Sequence, residues 1–119
     1  MKTFKYILIS DVEHDLAFYV SSYTNGNMAI DLIEPSCEEE PHWSRMTVNI
    51  DRLMPNYAFV DTNNNSKIEG VLKKYKFAKF TGTTKISGFH EYPLYEFDLK
   101  KMKDYIHPES DYPYLTIGD

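Results

Sequence analysis

The stretch from Asn56 to Tyr75 constrains the fold more than any other part of this 119-residue sequence, because it combines a strand, a turn and a helix start. Residues 57–60 (YAFV) are typical of a short buried strand. Residues 61–65 (DTNNN) end that strand, since Asp and Asn side chains hydrogen-bond their own backbone and tolerate turn conformations. Ser66 and Glu69 have the spacing of a capping box, which predicts the start of a helix.

The predicted helix covers residues 66–77 and is the main helix of the fold. Its apolar residues recur at the spacing of one helix face: Ile68, Val71, Leu72 and Tyr75. Its lysines fall outside that apolar stripe: Lys67, Lys73, Lys74 and Lys76. We interpret these lysines as a solvated helix face.

A β-hairpin is predicted around Asn25 and Gly26. Residues 16–23 (LAFYVSSY) are rich in β-formers, and residues 28–33 (MAIDLI) alternate in the manner of a strand with one inner face. The Asn-Gly pair between them is favoured in tight hairpin turns that need a positive φ angle. The two segments are therefore expected to pair antiparallel.

The other segments predict more strands than helices. Residues 4–10 and 46–50 are predicted strands, as are residues 92–98, whose Pro93 is expected at a sheet edge or a strand start. The other predictions are a surface loop at residues 34–44, a loop or twisted edge hairpin at residues 79–88, and two helical turns at residues 99–106.

These elements predict one α+β domain over residues 1–119. Strands and helices do not alternate regularly, which favours a largely antiparallel sheet. We expect five or six strands in that sheet, with the main helix, residues 66–77, packed on one face. The tail, residues 107–119, is expected either to pair as a last strand or to be loosely ordered.

The net charge of −5 is unevenly distributed along the chain. Residues 1–66 carry ten acidic and four basic residues, whereas residues 67–119 carry eight acidic and nine basic residues. An acidic protein without a basic stripe is a poor candidate for nucleic-acid binding, because such binding relies on Lys and Arg at phosphates. We therefore expect no direct nucleic-acid partner.

The single cysteine, Cys37, excludes an internal disulfide. The apolar run near the amino terminus (MKTFKYILIS) is too short for a secretion signal or a membrane span. A cytoplasmic protein without a membrane partner is expected.

Several segments together resemble a known family. They are YAFVDTNNN at residues 57–65, SKIEGVL at 66–72, SGF at 87–89, YPLYEFD at 92–98 and the hairpin YTNGNMAIDL at 23–32. The family is an uncharacterised one of small proteins, a domain of unknown function found on conjugative elements and phages of Gram-positive bacteria. The resemblance covers residues 4–100 and implies a cytoplasmic protein of a mobile genetic element, and it supplies no catalytic residues.

Two segments have partial metal-binding patterns. Asp61, Asn63 and Asn65 match the first side-chain positions of an EF-hand calcium loop, but Ser66 replaces its glycine and Leu72 its bidentate glutamate. The acidic segment at residues 37–42 lacks the second ligand pair of a zinc site. No metal and no other cofactor is expected.

The sequence contains no recognisable catalytic motif. Cys37 lies beside three glutamates, which disfavour its thiolate, and neither a GxSxG elbow nor a phosphate-binding loop is present. We therefore expect a protein that is not an enzyme. The alternative is a small enzyme or ligand-binding domain whose site is formed by scattered residues, namely Asp61, Asn63, His90 and Glu91.

The preferred hypothesis is a protein-binding module of a mobile genetic element. Tyrosine and tryptophan concentrate at interfaces, and an acidic surface can occupy the basic channel of a nuclease. The expected partner is another protein, specifically a nucleic-acid-binding host defence nuclease that the chain inhibits in the anti-CRISPR or anti-restriction manner. A homodimer is compatible with this hypothesis. The candidate partner-binding residues are Glu38, Glu39, Glu40, Trp43, Tyr92, Tyr95, Tyr112 and Tyr114.

Overall fold

Two antiparallel sheets of four strands each contain most of the regular structure. The computed structural model describes residues 1–7, 12–39 and 41–115. The first sheet contains β1 (Phe4–Ile7), β2 (Glu13–Ser22), β3 (Met28–Ile33) and β4 (His42–Arg45), in that spatial order. Residues 8–10 of the predicted first strand lie outside the described residues.

The second sheet contains β5 (Thr47–Val48), β6 (Tyr57–Val60), β7 (Ala78–Ser87) and β8 (His90–Phe97), in the spatial order β5-β6-β8-β7. The helical elements are α1 (Ile68–Lys74), α2 (Leu99–Met102) and a 3-10 turn at Lys103–Tyr105. The predicted antiparallel pairing is confirmed. The predicted single sheet of five or six strands is wrong, since the described residues form eight strands in two sheets.

The predicted hairpin forms between β2 and β3, with Ser22 opposite Met28. Its turn is closed by the amide of Gly26, which donates to the carbonyl of Tyr23 at 2.9 Å. Only Gly26 in this turn has a positive φ, +91°, so the loop is a type I turn followed by a left-handed glycine. The first strand of this hairpin, β2, starts at Glu13 and not at the predicted Leu16, because its first residues pair with β1.

The chain passes from the first sheet to the second at Met46. The amide of Met46 donates to the carbonyl of Ile30 in β3, and its carbonyl accepts from Asp61 just after β6, both at 2.8 Å. This double attachment separates β4 from β5, so the predicted strand over 46–50 is reduced to Thr47–Val48. The predicted loop over 34–44 is shorter than expected, because β4 begins at His42.

The central strand β6 forms at residues 57–60 as predicted, but the capping box does not form. No side chain caps the first turn of α1, and Glu69 instead accepts a hydrogen bond from the hydroxyl of Tyr95. Asn65 holds the turn before the helix: its side-chain amide donates to the carbonyls of Arg45 and Asp61, both at 3.1 Å. The helix consequently begins at Ile68, two residues later than predicted.

The end of α1 is a Schellman motif centred on Lys76. The amide of Lys76 donates to the carbonyl of Lys73 at 3.2 Å, and the amide of Phe77 donates to that of Leu72 at 2.9 Å. Lys76 has φ of +58°, a left-handed conformation that glycine usually supplies at this position. The helix therefore ends at a residue that carries backbone strain.

One hydrophobic cluster contains residues from both sheets and both helices. Phe18 of β2 lies at its centre, with its ring 4.8 Å from Phe4 of the first sheet and 5.3 Å from Phe77 beside the second. Leu72 of α1 and Met102 of α2 are fully buried in the same cluster. Burial of these side chains joins the two sheets into one core.

Residues 79–88, predicted as a loop or a twisted edge hairpin, form most of β7 and the start of the turn after it, and β7 pairs with β8 as a hairpin. A bulge between Phe80 and Thr84 contains Gly82 at φ +89°, which gives the strand β7 extra twist. Pro93 pairs with Thr84, whereas pairing of β8 with β6 stops at Leu94. Among the described residues, Pro93 therefore lies on a stretch of β8 that has only β7 as a neighbour strand, and its missing amide hydrogen leaves no bond unmade on the open side.

The tail segment, defined as residues 106–115, lies along β2. The amide of His107 donates to the carbonyl of Phe18 at 2.8 Å, and the amide of Asp111 donates to that of Val20 at 3.0 Å. The hydroxyl of Ser110 accepts from the amide of Val20, also at 3.0 Å. These bonds cover the part of the β2 edge that β1 does not reach. Residues 116–119 lie outside the described residues.

Candidate functional site

The pairing of β7 with β8 brings together two lysine-rich segments that are far apart in sequence. Ala78, at the start of β7, pairs with Phe97, at the end of β8. Since α1 precedes β7 and α2 follows β8, the end of one helix and the start of the other meet at this edge of the second sheet. The amide of Asp98 donates to the carbonyl of Phe77 at 2.8 Å and fixes the junction.

A groove of about 880 Å³ opens at this junction. We call it the lysine groove, after the five lysines that line it: Lys73, Lys76, Lys79, Lys100 and Lys101. Its aromatic lining residues are Phe80, Tyr95, Phe97 and Tyr114. Tyr95 and Phe97 are buried beneath it, whereas Phe80 is 46% exposed and Tyr114 is 38% exposed. The groove thus combines flexible cations with two accessible rings.

The charge of the lysine groove is strongly positive, in contrast to the whole molecule. Its five lysines face two carboxylates, Glu96 and Asp98, which leaves a net charge of +3. Both carboxylates have neutral partners: Glu96 accepts from the hydroxyl of Tyr57 at 3.0 Å, and Asp98 caps α2 by accepting from the amide of Lys101 at 3.2 Å. Within the described part of the chain, none of the five lysines makes an ion pair.

Asn56 forms part of the groove wall and adopts φ of +71°. Its amide donates to the hydroxyl of Tyr112 at 3.1 Å, and its carbonyl accepts from the amide of Phe97 at 2.8 Å. Its buried Oδ1 has no hydrogen-bond partner among the described residues. An unused buried acceptor costs about 1–3 kcal/mol, so this wall is less stable than the core around it.

Tyr95 connects the groove floor to α1. Burial, together with the hydrogen bond that its hydroxyl donates to Glu69, holds the pKa of Tyr95 well above its usual value. The phenol therefore stays neutral at all ordinary pH values. Its ring centroid lies 5.7 Å from that of Phe80, which supports the underside of the exposed ring.

The acidic residues predicted to bind a partner lie elsewhere, in the region that we call the acidic corner: His14, Glu34, Glu38, Glu39 and Trp43. Glu38 and Glu39 are exposed, and Glu40 lies outside the described residues. The half-buried ring of Trp43 lies 5.5 Å from His14, which bonds Glu34 at 3.0 Å. Trp43 also packs against the hydrophobic core.

The four predicted tyrosines are not gathered on one surface. Tyr95 and Tyr112 are buried, at 6% and 3% exposure. Tyr92 is half-buried with its ring 4.8 Å from His90, and Tyr114 is exposed in the lysine groove. The predicted partner-binding set is therefore divided between the acidic corner, the core and the groove.

The alternative site around Asp61, Asn63, His90 and Glu91 is brought together only in part. His90 Nε2 lies 3.1 Å from the hydroxyl of Thr62, within the turn that contains Asp61 and Asn63. Asp61 accepts from the amide of Asn64, three residues on, at 3.1 Å, so its side chain bonds the backbone of its own turn. Asn63 and Glu91 are exposed, and none of the four residues lines the lysine groove. In the ranges that the structure describes, no cluster of three or more His, Cys, Asp or Glu residues is arranged to hold a metal.

Sequence reasoning missed Asn56, Lys79, Phe80, Lys100 and Lys101. One signal was available, because the lysines in KKYKFAK (residues 73–79) and KKMK (residues 100–103) flank β7 and β8. These strands correspond to the predicted loop or edge hairpin at residues 79–88 and the predicted strand at residues 92–98. Antiparallel pairing of those strands places both lysine segments at one edge.

Within the described ranges, no helix is both long enough and apolar enough to cross a membrane. Comparison with known proteins gives no match to a curated protein and none to a solved structure. One family model, a domain of unknown function, matches residues 17–113, which include both helices and every lining residue of the lysine groove except Tyr114. The chain therefore belongs to the family DUF4313.

Proposed function

We propose that this chain is a non-catalytic binding module whose lysine groove takes up a polyanion. The observation that carries the proposal is the convergence of five lysines without ion-pair partners on a groove with accessible aromatic rings. Like charges held close together repel each other, and a bound polyanion removes that repulsion. The groove is thus electrostatically complementary to a chain of negative charges.

Within the described ranges, three lysines outside the groove form ion pairs, namely Lys2, Lys5 and Lys85, unlike the five in the groove. Lys5 lies 2.5 Å from Asp15 and 3.3 Å from Glu13, and Lys85 forms an ion pair with Asp51. The chain has more acidic than basic residues, yet no carboxylate among the described residues forms an ion pair with a groove lysine. Lysines that only face solvent do not need to be kept apart from carboxylates in this way.

Lys76 gives a second line of support. A left-handed conformation costs a residue with a β-carbon about 1–2 kcal/mol, and glycine avoids most of that cost. Lys76 adopts this conformation at the end of α1 and lines the groove. Departures from local conformational preference are expected where function needs a particular side chain. The positive charge of Lys76 accounts for its presence at a glycine position.

The test is a fluorescence anisotropy titration of a labelled polyanion, a heparin oligosaccharide, at several salt concentrations. We expect affinity to fall linearly with the logarithm of salt concentration, because counterions are released on binding. The double variant K76E/K100E should lose about tenfold or more in affinity, whereas K74E should match the wild type. Lys74 is the matched control because it is the last residue of α1, two residues before Lys76, and lies outside the groove lining. Equal binding by K76E/K100E and the wild type would refute the proposal.

We also propose, as a second candidate, that the acidic corner binds and inhibits a basic host nuclease, which is the mobile-element function expected from the sequence. Glu38 and Glu39 favour it, because they are exposed, precede Trp43 closely in sequence and make no ion pair among the described residues. Their charges would steer association in a salt-sensitive manner. Purified nuclease should be captured at low salt by the wild type and not by E38K/E39K. Capture that is equal for both proteins would remove this candidate.

A further inference from the structure

We propose that the polyanion in the lysine groove is single-stranded nucleic acid, with its phosphates at the lysines and its bases stacked on Phe80 and Tyr114. This inference rests on the proposed function of the groove. It departs from the expectation based on net charge, because the charge that a ligand meets is that of the groove and not that of the whole chain.

The two exposed rings are the feature that favours nucleic acid over other polyanions. Phe80 is 46% exposed and Tyr114 is 38% exposed, although each has a neighbouring ring to pack against. Phe80 lies 5.7 Å from Tyr95, and Tyr114 lies 5.4 Å from Tyr112, measured between ring centroids. The buried partner of each pair fixes the exposed ring in place, so that an outer face remains for a ligand. Base stacking on such rings contributes about 1–3 kcal/mol per base.

The lysines flank these rings on two sides. Lys73 and Lys76 come from the end of α1, and Lys100 and Lys101 come from α2, with Lys79 on the strand between the helices. A basic groove that follows the phosphate backbone, with aromatic side chains for the bases, is the general design of single-strand binding sites. An acidic peptide would satisfy the lysines, but its carboxylates have no flat ring to place on Phe80 or Tyr114.

A single strand fits this arrangement better than a duplex. In a duplex the faces of the bases are already stacked on one another, so no base face is available to stack on the rings of the groove. The groove volume of about 880 Å³ is that of a site for a short stretch of chain. If all five lysines contact phosphates, the slope of log affinity against log salt is about −3.5, from about 0.7 per contact on single strands.

The experiment compares four labelled probes of matched length by fluorescence anisotropy. They are single-stranded oligothymidine, an abasic strand with the same phosphates, a DNA duplex and a polyglutamate peptide. We expect oligothymidine to bind at least about fivefold more tightly than each of the other three, the lower limit for one stacked base. The abasic strand isolates the stacking contribution, since it differs from oligothymidine only in its missing bases.

Ring variants then assign the stacking to the groove. The variant F80L/Y114L keeps apolar side chains without aromatic faces and should bind oligothymidine no better than the abasic strand. F89L is the matched control, because Phe89 is fully exposed at the β7–β8 turn and outside the groove lining. It should bind like the wild type. Circular dichroism of both variants checks that the fold is retained.

The outcomes separate this inference from the function on which it rests. Equal affinity for oligothymidine and the abasic strand, or no effect of F80L/Y114L, would overturn nucleic acid as the ligand and leave the polyanion site standing. Tighter binding of polyglutamate would also overturn it and identify an acidic protein segment as the occupant. Failure of all four probes and of heparin to bind would overturn the proposed function itself.

Discussion

The acidic corner and the lysine groove are both charged, but they are built in opposite ways. In the acidic corner the charges are neighbours in sequence, and the surrounding side chains are already engaged: Glu34 with His14, and Trp43 with the core. The lysines of the groove come from α1, β7 and α2 and have no ion-pair partners among the described residues. The acidic charges therefore come from one stretch of sequence, whereas the charges of the groove are brought together by strand pairing.

The largest effect is expected outside both regions, where the first sheet is joined to the turn before α1. Asn65 is buried in the turn that precedes α1. Its side-chain amide donates to the carbonyl of Arg45, at the end of β4, and to that of Asp61. The variant N65A should lower the free energy of unfolding by about 2–3 kcal/mol, because it leaves several buried polar groups without partners. Urea unfolding measures this change. N63A is the control, since Asn63 is exposed in the same turn and should change stability by less than about 0.5 kcal/mol.

The hydrogen bond from Tyr95 to Glu69 in the groove floor should contribute to the free energy of unfolding in a manner that depends on pH. The variant Y95F loses the bond to Glu69 and should be about 1 kcal/mol less stable at pH 7. Since the pKa of Tyr95 is raised in the folded state, its contribution is complete below the unfolded value near 10 and is lost as pH rises further. The wild type should therefore lose more stability between pH 9 and pH 11 than Y95F does. Equal losses in urea unfolding would contradict this assignment.

Stability and binding should change in opposite directions at Lys76. The variant K76G relieves the left-handed strain at φ +58° and should raise the free energy of unfolding by about 0.5–1 kcal/mol. It should also weaken polyanion binding severalfold and reduce the salt slope by about 0.7. Thermal unfolding and anisotropy test both effects on one protein. A variant that is more stable and binds equally well would show that Lys76 has no role in the groove.

The smallest effect is expected in the acidic corner. The variant E38Q/E39Q should change the free energy of unfolding by less than about 0.5 kcal/mol, because both side chains are exposed and unpaired among the described residues. Its polyanion affinity should stay within about twofold of the wild type. A larger gain in affinity would show that the corner repels ligands from the groove, and the two regions would then not be independent.

Local patterns predicted much of the secondary structure. The hairpin around Gly26 and the strand at residues 57–60 formed as expected, because turn chemistry and strand periodicity act over a few residues. The capping box at Ser66 did not form, since Asn65 took over the turn through bonds to a distant strand. A local motif was thus displaced by a contact that sequence spacing does not reveal.

The division into two sheets and the groove itself depend on long-range contacts. Met46 separates the sheets through bonds to Ile30 and Asp61, neither of which is its neighbour in sequence. The lysines after residue 98 meet those before residue 80 only because β7 pairs with β8. Sequence patterns supplied the strands and the lysines, while the pairing that gives them a common surface appears only in three dimensions.

The residues that complete the groove lie late in the sequence, and this sets the order in which the groove is assembled during synthesis. Tyr112 holds Asn56 through its hydroxyl, Tyr114 lies in the groove, and α2 supplies Lys100 and Lys101. A ribosome makes residues 98–115 after every other described part of the chain, so the site is completed only when synthesis has passed them. The groove is therefore among the last features of the described chain to reach its final form, after the strands of both sheets.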